Sequence, residues 1–278
     1  MIPRICGKAS AIVPHMRMRV LLVPLMALAL TGCGASSEDA GTETSAASGR
    51  ELSGTLTVFA AASLTDVFTH LGDRLEQQNP HLDVRFNFAG SSALATQITQ
   101  GAPADVFASA NEAQMKVVTD AALQAEDPTI FTENVLEIAV PTGNPGHVTG
   151  LADFANPDLS LAICAPDVPC GAAAQKVFQL AGVRAVPDTE EEDVKAALTK
   201  VQLGEVDAAL VYATDVRAAG SDVEGIPFPE AERAVNEYPI AALKAAPNPE
   251  AAQAFLDLVQ SDDGQTALTA AGFRKPPS

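Results

Sequence analysis

Short apolar runs alternate with amphipathic stretches along most of this 278-residue chain, and that alternation limits the fold more than any other feature. Leu56-Thr57-Val58-Phe59-Ala60 reads as a buried strand, followed by Ala61-Ala62-Ser63. Leu64, Val67, Phe68, Leu71 and Leu75 then recur at helical spacing as far as Asn79-Pro80, because residues three and four apart share one helix face. Ser63 with Asp66 three places on has the pattern of a capping box. Leu82, Val84, Phe86 and Phe88 alternate with the period of a strand. Gly90-Ser91-Ser92 opens a second helix carrying Leu94, Ile98 and Ala102, Asp105 to Ala108 is a short strand, and Asn111 caps a helix carrying Met115 and Val118. Strand and helix in turn predict an α/β fold, a largely parallel sheet covered by helices.

The pattern then starts again. Val135 to Val140, Leu159 to Cys164, Val206 to Tyr212 and Tyr238 to Leu243 read as strands. A helix from near Gly171 buries Val177, Phe178 and Ala181. Glu190 to Asp193 is expected to open a helix with Val194, Ala197, Leu198 and Val201 on one face, its first-turn acids suiting the helix dipole. Pro249 to Ala271 is helical with a break near Asp262-Asp263-Gly264. Two successive α/β units predict two lobes with a cleft between them. The chain crosses near Glu133-Asn134 and returns near Asn236-Glu237, so residues 54–133 and 237–278 form lobe I and residues 134–236 form lobe II. Ligands of such sheets sit beyond the carboxyl ends of the strands. Ser63, Ser91 and Ser92 fall at strand-to-helix junctions of that kind. Each is either an N-cap for its own helix or a donor to an anion, since a helix start offers unpaired N–H groups and a favourable dipole.

The first 32 residues read as an address. Arg17 and Arg19 precede the apolar run Val20 to Leu30, which is too short to span a bilayer and suits a signal peptide. Leu30-Thr31-Gly32-Cys33 resembles a lipobox, in which Cys33 is lipidated and becomes the amino terminus. An ordinary signal peptide beside a chance cysteine is the alternative. Translation is expected to start at Met16 or Met18. Residues 33–53, rich in Ser, Ala, Gly, Thr and Glu, read as a flexible tether. The domain is thus expected outside the cytoplasmic membrane, lipid-anchored and exposed to oxidising conditions. Of four cysteines, Cys164 and Cys170 remain for the mature domain. A disulfide between them is expected, with two reduced thiols as the alternative; two cysteines without a nearby histidine are too few to hold zinc.

Charge and composition exclude other classes. Residues 1–32 hold four of the basic residues and no acids, leaving 13 basic against 35 acidic residues, a balance of −22. Such a surface repels nucleic acid and anionic lipid. No tryptophan and two tyrosines argue against a stacking surface. His70, His81 and His147 have no evident nucleophile or metal partner in sequence, and no GxSxG, HExxH or P-loop pattern occurs. The expectation is a binding protein rather than an enzyme, without a cofactor. An exported hydrolase using Ser63 or Ser91 as nucleophile is the rival from another class, and it would require a histidine or lysine base beside the serine.

Several segments together resemble the periplasmic molybdate-binding proteins of ABC importers. They are VFAAASLTDVF (Val58 to Phe68), FAGSSALATQI (Phe88 to Ile98), GAPADVFASA (Gly101 to Ala110), APDVPCG (Ala165 to Gly171), EEDVKAAL (Glu191 to Leu198) and ALVYATD (Ala209 to Asp215), with Gly272-Phe273 near the end. Each is modest alone; in register across nearly the whole mature domain they are specific. The resemblance implies a two-lobe periplasmic-binding-protein fold of type II, with mixed and parallel sheets, helices on both faces and an interlobe cleft. It implies molybdate as ligand, tungstate as a near-isostere, and an ABC permease with its ATPase as partners of a monomeric binding protein. Carried over by motif, the oxyanion donors are the hydroxyls and amides of Ser63 and Ser91, the backbone amides of Cys170 and Val194, and the Tyr212 hydroxyl, with Ser92 as an additional contact; the only metal bound would be the molybdenum of the oxyanion itself. Many members have alanine where this chain has Cys170, which a backbone contact tolerates; a Cys164–Cys170 bridge would rigidify the loop. Glu190 and Glu191 must then point away from the cleft. Neutral donors without acceptors select oxyanions that carry no proton, and an acidic exterior is screened within about 8–10 Å. Five to seven charge-assisted bonds at roughly 1.5–3 kcal/mol each sum to about 8–20 kcal/mol, against an association cost of at least about 4 kcal/mol. Sulfate or an organic anion on the same fold is the nearer rival; sulfate has the right charge, so cavity size must reject it.

Overall fold

In the computed structural model, which describes residues 51–276, strand β1 (Ser53–Ala61) alternates its side chains between two cores. Leu56, Val58 and Ala60 pack on one face, and Phe59 on the other. The first core is completed by α1 (Thr65–Gln78), whose buried Val67, Phe68, Leu71 and Leu75 keep the predicted spacing. After β2 (His81–Ala89), α2 (Ser91–Thr99), β3 (Val106–Ala108) and α3 (Glu112–Asp120) build the opposite layer, in which Leu94, Ile98, Met115 and Val118 meet Phe59 and Phe107. Asn111 caps α3 as expected, accepting the Gln114 N–H at 2.9 Å.

Strand β4 (Thr129–Asn134) ends this part of the chain and β5 (Leu136–Pro141) begins the second sheet after a single intervening residue. Then come β6 (Leu161–Cys164), α4 (Pro169–Ala181), β7 (Thr189–Glu191), α5 (Val194–Gln202), β8 (Ala208–Tyr212), α6 (Ala213–Ala219) and β9 (Val223–Ile226). The chain returns through β10 (Asn236–Ala242) and closes with α7 (Pro249–Gln260) and α8 (Asp262–Ala271), broken where the sequence predicted. Ser261 makes that break by accepting the Gly264 N–H at the start of α8.

Two five-stranded mixed sheets result, in the orders β2-β1-β3-β10-β4 and β7-β6-β8-β5-β9. Strands β1, β2 and β3 are mutually parallel, as are β6, β7 and β8, while β10 runs antiparallel to β3 and β4. Parallel strands joined through helices place every strand-to-helix junction at one sheet edge. The second sheet buries Leu136, Ile138, Leu161, Ala209 and Val211 against α4 and α5 through Val177, Phe178, Leu198 and Val201. Strands β4 and β10 pair at the crossing, with Asn134 opposite Asn236.

Three features depart from the sequence reading. Glu190 and Glu191 lie in β7, and α5 starts only at Val194, so no acid occupies its first turn; Asp193 caps it instead. Helix α4 starts two residues before Gly171, with Pro169 in the first turn, where a missing N–H costs nothing. Ala102 lies beyond the end of α2. The signal segment, Cys33 and the tether up to residue 50 lie outside the described residues; the tether does not reach residue 53, because Leu52 donates its N–H to Asn79 Oδ1 at 3.1 Å and Ser53 already opens β1.

Candidate functional site

The starts of three helices meet between the sheets: α2 at Ser91, α4 at Pro169 and α5 at Val194. A short 3-10 turn, Ala62–Leu64, brings in the end of β1. The first N–H groups of a helix have no partner inside it, so these junctions deliver unpaired donors. With Tyr212 at the end of β8 they enclose one cavity, lined by Ser63, Ser91, Cys170, Val194 and Tyr212 among small apolar neighbours including Ala62 and Ala110. All five predicted contacts therefore share one wall system. The cavity is tight. Its atom-free space, mouth included, is about 210 Å³. Ser92 lies outside it, in a separate hollow with Ala93, Thr96 and Asp167.

The serines do not cap their helices. Ser63 sits in the 3-10 turn, one residue before the α1 N-cap position, and its Oγ lies 3.0 Å from the Tyr238 hydroxyl. The capping box with Asp66 is absent because the extra turn displaces Ser63 from the cap. Ser91 is the first residue of α2, and its Oγ accepts the Ala110 N–H at 3.0 Å. Tyr212 accepts the Asn236 side-chain amide at 2.9 Å. Burial, then the nearby Tyr238 and Asp215, push the Tyr212 phenol well above its ordinary range, so it keeps its proton and remains a donor.

No charged side chain of β7 enters. Glu190 and Glu191 do not line the cavity, and Glu191 faces Lys200 at 3.6 Å. Asp193 does line it, but its carboxylate accepts the Ala196 N–H at 2.9 Å and so serves its own helix. Its signal in sequence was an aspartate just before a helical apolar run. Two glycines set close approaches. A Cβ on Gly171 would lie 1.9 Å from the Ala165 carbonyl oxygen, and one on Gly90 would lie 2.3 Å from the Glu192 carbonyl oxygen across the cleft. Cys164 and Cys170, with Cα atoms 5.7 Å apart, are bridged beneath the α4 start. His70, His81 and His147 are exposed, and no group of three or more metal-ligating side chains occurs among the described residues.

Sequence reasoning missed the layer behind the cavity. Asn134, Thr214, Asn236 and Tyr238 are buried. Asn134 donates to Thr214 Oγ1 at 2.8 Å and, more distantly, to the Tyr238 hydroxyl at 3.5 Å. Asn236 donates to the Ala110 carbonyl at 2.8 Å. The tyrosine rings meet edge to face, 6.0 Å apart. A usable signal existed: the chain has only two tyrosines, and both border apolar strand runs, Tyr212 at the end of one and Tyr238 at the start of another.

Two α/β sheets with a pocket between them, walled by helix starts and small residues, have the arrangement of a solute-binding protein. The family described as bacterial extracellular solute-binding proteins matches residues 56–274. The molybdate-binding protein ModA of Mycobacterium tuberculosis is 41% identical over 256 residues, covering 92% of this chain and 97% of that protein. The periplasmic molybdate-binding protein of Azotobacter vinelandii superposes with a TM-score of 0.68 at 20% identity, covering 80% of this chain and all of that one (100%). The sulfate-binding protein SubI of M. tuberculosis gives the same TM-score of 0.68 at 17% identity, covering 80% of this chain and 86% of that one. The last two likenesses establish the fold alone. The chain belongs to the bacterial extracellular solute-binding proteins and, within them, to the ModA family.

Proposed function

We propose that this protein captures molybdate, with tungstate as a near-isostere, outside the cytoplasmic membrane and delivers it to an ABC permease and its ATPase. The observation that carries this reading is the convergence of Ser63, Ser91, Cys170, Val194 and Tyr212 on one cavity. The hydroxyls of Ser63, Ser91 and Tyr212 and the free N–H groups of Cys170 and Val194 are all neutral donors, suited to a four-oxygen dianion. Walls this close favour direct contact with a single small ion after a slight parting of the lobes. Residues 54–133 with 237–278 act as one lobe and residues 134–236 as the other, closing by a hinge at a boundary where Asn134 and Asn236 still pair within the first sheet. Residues 1–32 direct export, Cys33 carries the lipid, and the stretch from there to the start of β1 tethers the monomeric domain near its permease. Cys164 and Cys170 are oxidised in that compartment.

The hydrolase reading has no support in the serines' partners. Ser63 faces a phenol and Ser91 a backbone N–H, neither of which is a general base.

Calorimetric titration with molybdate, tungstate and sulfate, alongside elemental analysis of the purified protein, tests the proposal. Molybdate and tungstate should bind at micromolar Kd or tighter, about −8 kcal/mol, with sulfate far weaker. Equal affinity for sulfate, or no heat with molybdate, would overturn it.

A further inference from the structure

Three hydroxyl-bearing residues, Ser63, Ser91 and Tyr212, line the cavity, and a hydroxyl is ambivalent: it gives one proton and also accepts. Which way it points depends on what stands behind it. An N–H can only donate, so a hydroxyl that receives an N–H from behind keeps its own proton for the other side. Ser91 receives the Ala110 N–H at 3.0 Å. Tyr212 receives an Asn236 amide proton at 2.9 Å. The orientation of that amide is set in turn, because its nitrogen also meets the Ala110 carbonyl at 2.8 Å, which accepts and cannot donate. Asn134 is oriented in the same manner. Its Oδ1 accepts the Val135 N–H at 3.0 Å, which turns its nitrogen toward Thr214 and Tyr238. Either oxygen of the Ser63–Tyr238 pair, 3.0 Å apart, can donate; the Asn134 amide, 3.5 Å from the Tyr238 oxygen, favours the arrangement in which Tyr238 gives its proton to Ser63 Oγ and Ser63 keeps its own for the cavity.

We propose that Asn236, Asn134 and Tyr238, none of which lines the cavity, are positioning residues that fix the Tyr212 and Ser63 hydroxyls as donors toward the bound anion. The inference rests on the oxyanion reading above and adds to it the origin of the donor direction. Ala110 is the hub on one side, orienting Ser91 through its N–H and Asn236 through its carbonyl. Asn134 does the corresponding work on the other side.

The test is a pair of double-mutant cycles read by molybdate calorimetry, with thermal melting to check folding. Asn236→Leu removes the amide at near-constant volume. Alone it should weaken molybdate binding about tenfold or more, as expected for one misdirected charge-assisted bond. In a Tyr212→Phe background the same change should cost less than about threefold, and in a Ser63→Ala background it should cost its full effect. A residue that only stabilised the hinge would weaken all backgrounds alike. The mirror cycle uses Tyr238→Phe, whose effect should vanish with Ser63→Ala, and it decides the matter if Asn236→Leu does not fold. Additive effects in a wild-type protein that binds molybdate would overturn the positioning role alone. Failure of the wild type to bind molybdate would overturn the oxyanion reading and the positioning role with it.

Discussion

Tyr212 reaches the cavity from the end of β8, and its phenol is held neutral by burial. Tyr212→Phe keeps the ring and removes one donor, so molybdate binding should weaken by roughly 1–3 kcal/mol; unchanged affinity in calorimetry would remove Tyr212 from the site. Asp215, three residues on, answers to a different force. Burial raises its carboxyl from 3.8 to about 6, opposed by Lys195 and by the Tyr212 N–H it accepts. Lys195 Nζ stands 3.7 Å from Oδ1, beyond hydrogen-bond reach, and that oxygen has no hydrogen-bond partner. A carboxyl that is harder to ionise in the folded state than in the unfolded state gives stability at low pH, which drains away as pH rises through the folded value. The contribution of Asp215 should therefore be full below about pH 3.9 and be lost by the time pH passes about 6. Asp215→Asn should flatten the melting temperature across that interval, and an unaltered profile would refute the assignment. At this scale the site was legible where its signal was local. Ser63, Ser91 and Tyr212 each stand beside a strand end that the apolar pattern marks. The partners behind them were not legible, because Ser63 and Tyr238 are 175 residues apart and nothing in either neighbourhood names the other.

Among the elements, the strands that escaped the sequence reading share a position. β4 and β9 close the ends of their sheets, and β7 closes the remaining end of the second. An edge strand pairs on one side only and leaves residues in solvent, so Thr-Ile-Phe-Thr-Glu-Asn, Thr-Glu-Glu and Val-Glu-Gly-Ile carry little apolar signal. The central strands, buried on both faces, were clear. Misplacing Glu190 and Glu191 into α5 has the same origin, since four acids before an apolar run look like a helix start until β6 takes two of them as neighbours. The α4 start also carries a prediction. The Cys164–Cys170 bridge spans a separation of six residues, and a loop that short gives about 2 kcal/mol on the chain-entropy view. Reducing it, or replacing both cysteines by alanine, should lower the melting temperature accordingly. Two alkylatable thiols in the native protein, seen by mass spectrometry, would contradict the bridge.

For the molecule as a whole, closure depends on surfaces that touch without side chains between them. Gly90 has ordinary φ and ψ of −59° and 134°, so its lack of a Cβ is explained by the Glu192 carbonyl facing it and not by backbone freedom. Gly90→Ala should hold the lobes apart. Molybdate affinity should drop about tenfold or more, melting of the ligand-free protein should change little, and small-angle scattering should show no contraction on adding molybdate. Contraction equal to wild type would rule out this contact as the limit to closure. The polar bridges across the cleft are weaker restraints. Lys195 reaches Asp66 at 3.0 Å and Gln114 reaches the Asp167 carbonyl at 2.9 Å, both at exposed positions, where pairs contribute about 1 kcal/mol or less.

A hinge at the pairing of Asn134 with Asn236 would put the pivot of the two lobes and the layer behind the pocket in the same few residues. Asn236 belongs to the strand that carries the chain home, and the phenol it holds belongs to the far sheet. Swinging the far sheet outward should draw that phenol off its amide, so the grip on the anion slackens as the mouth widens. Opening the mouth and loosening the donor are then a single movement.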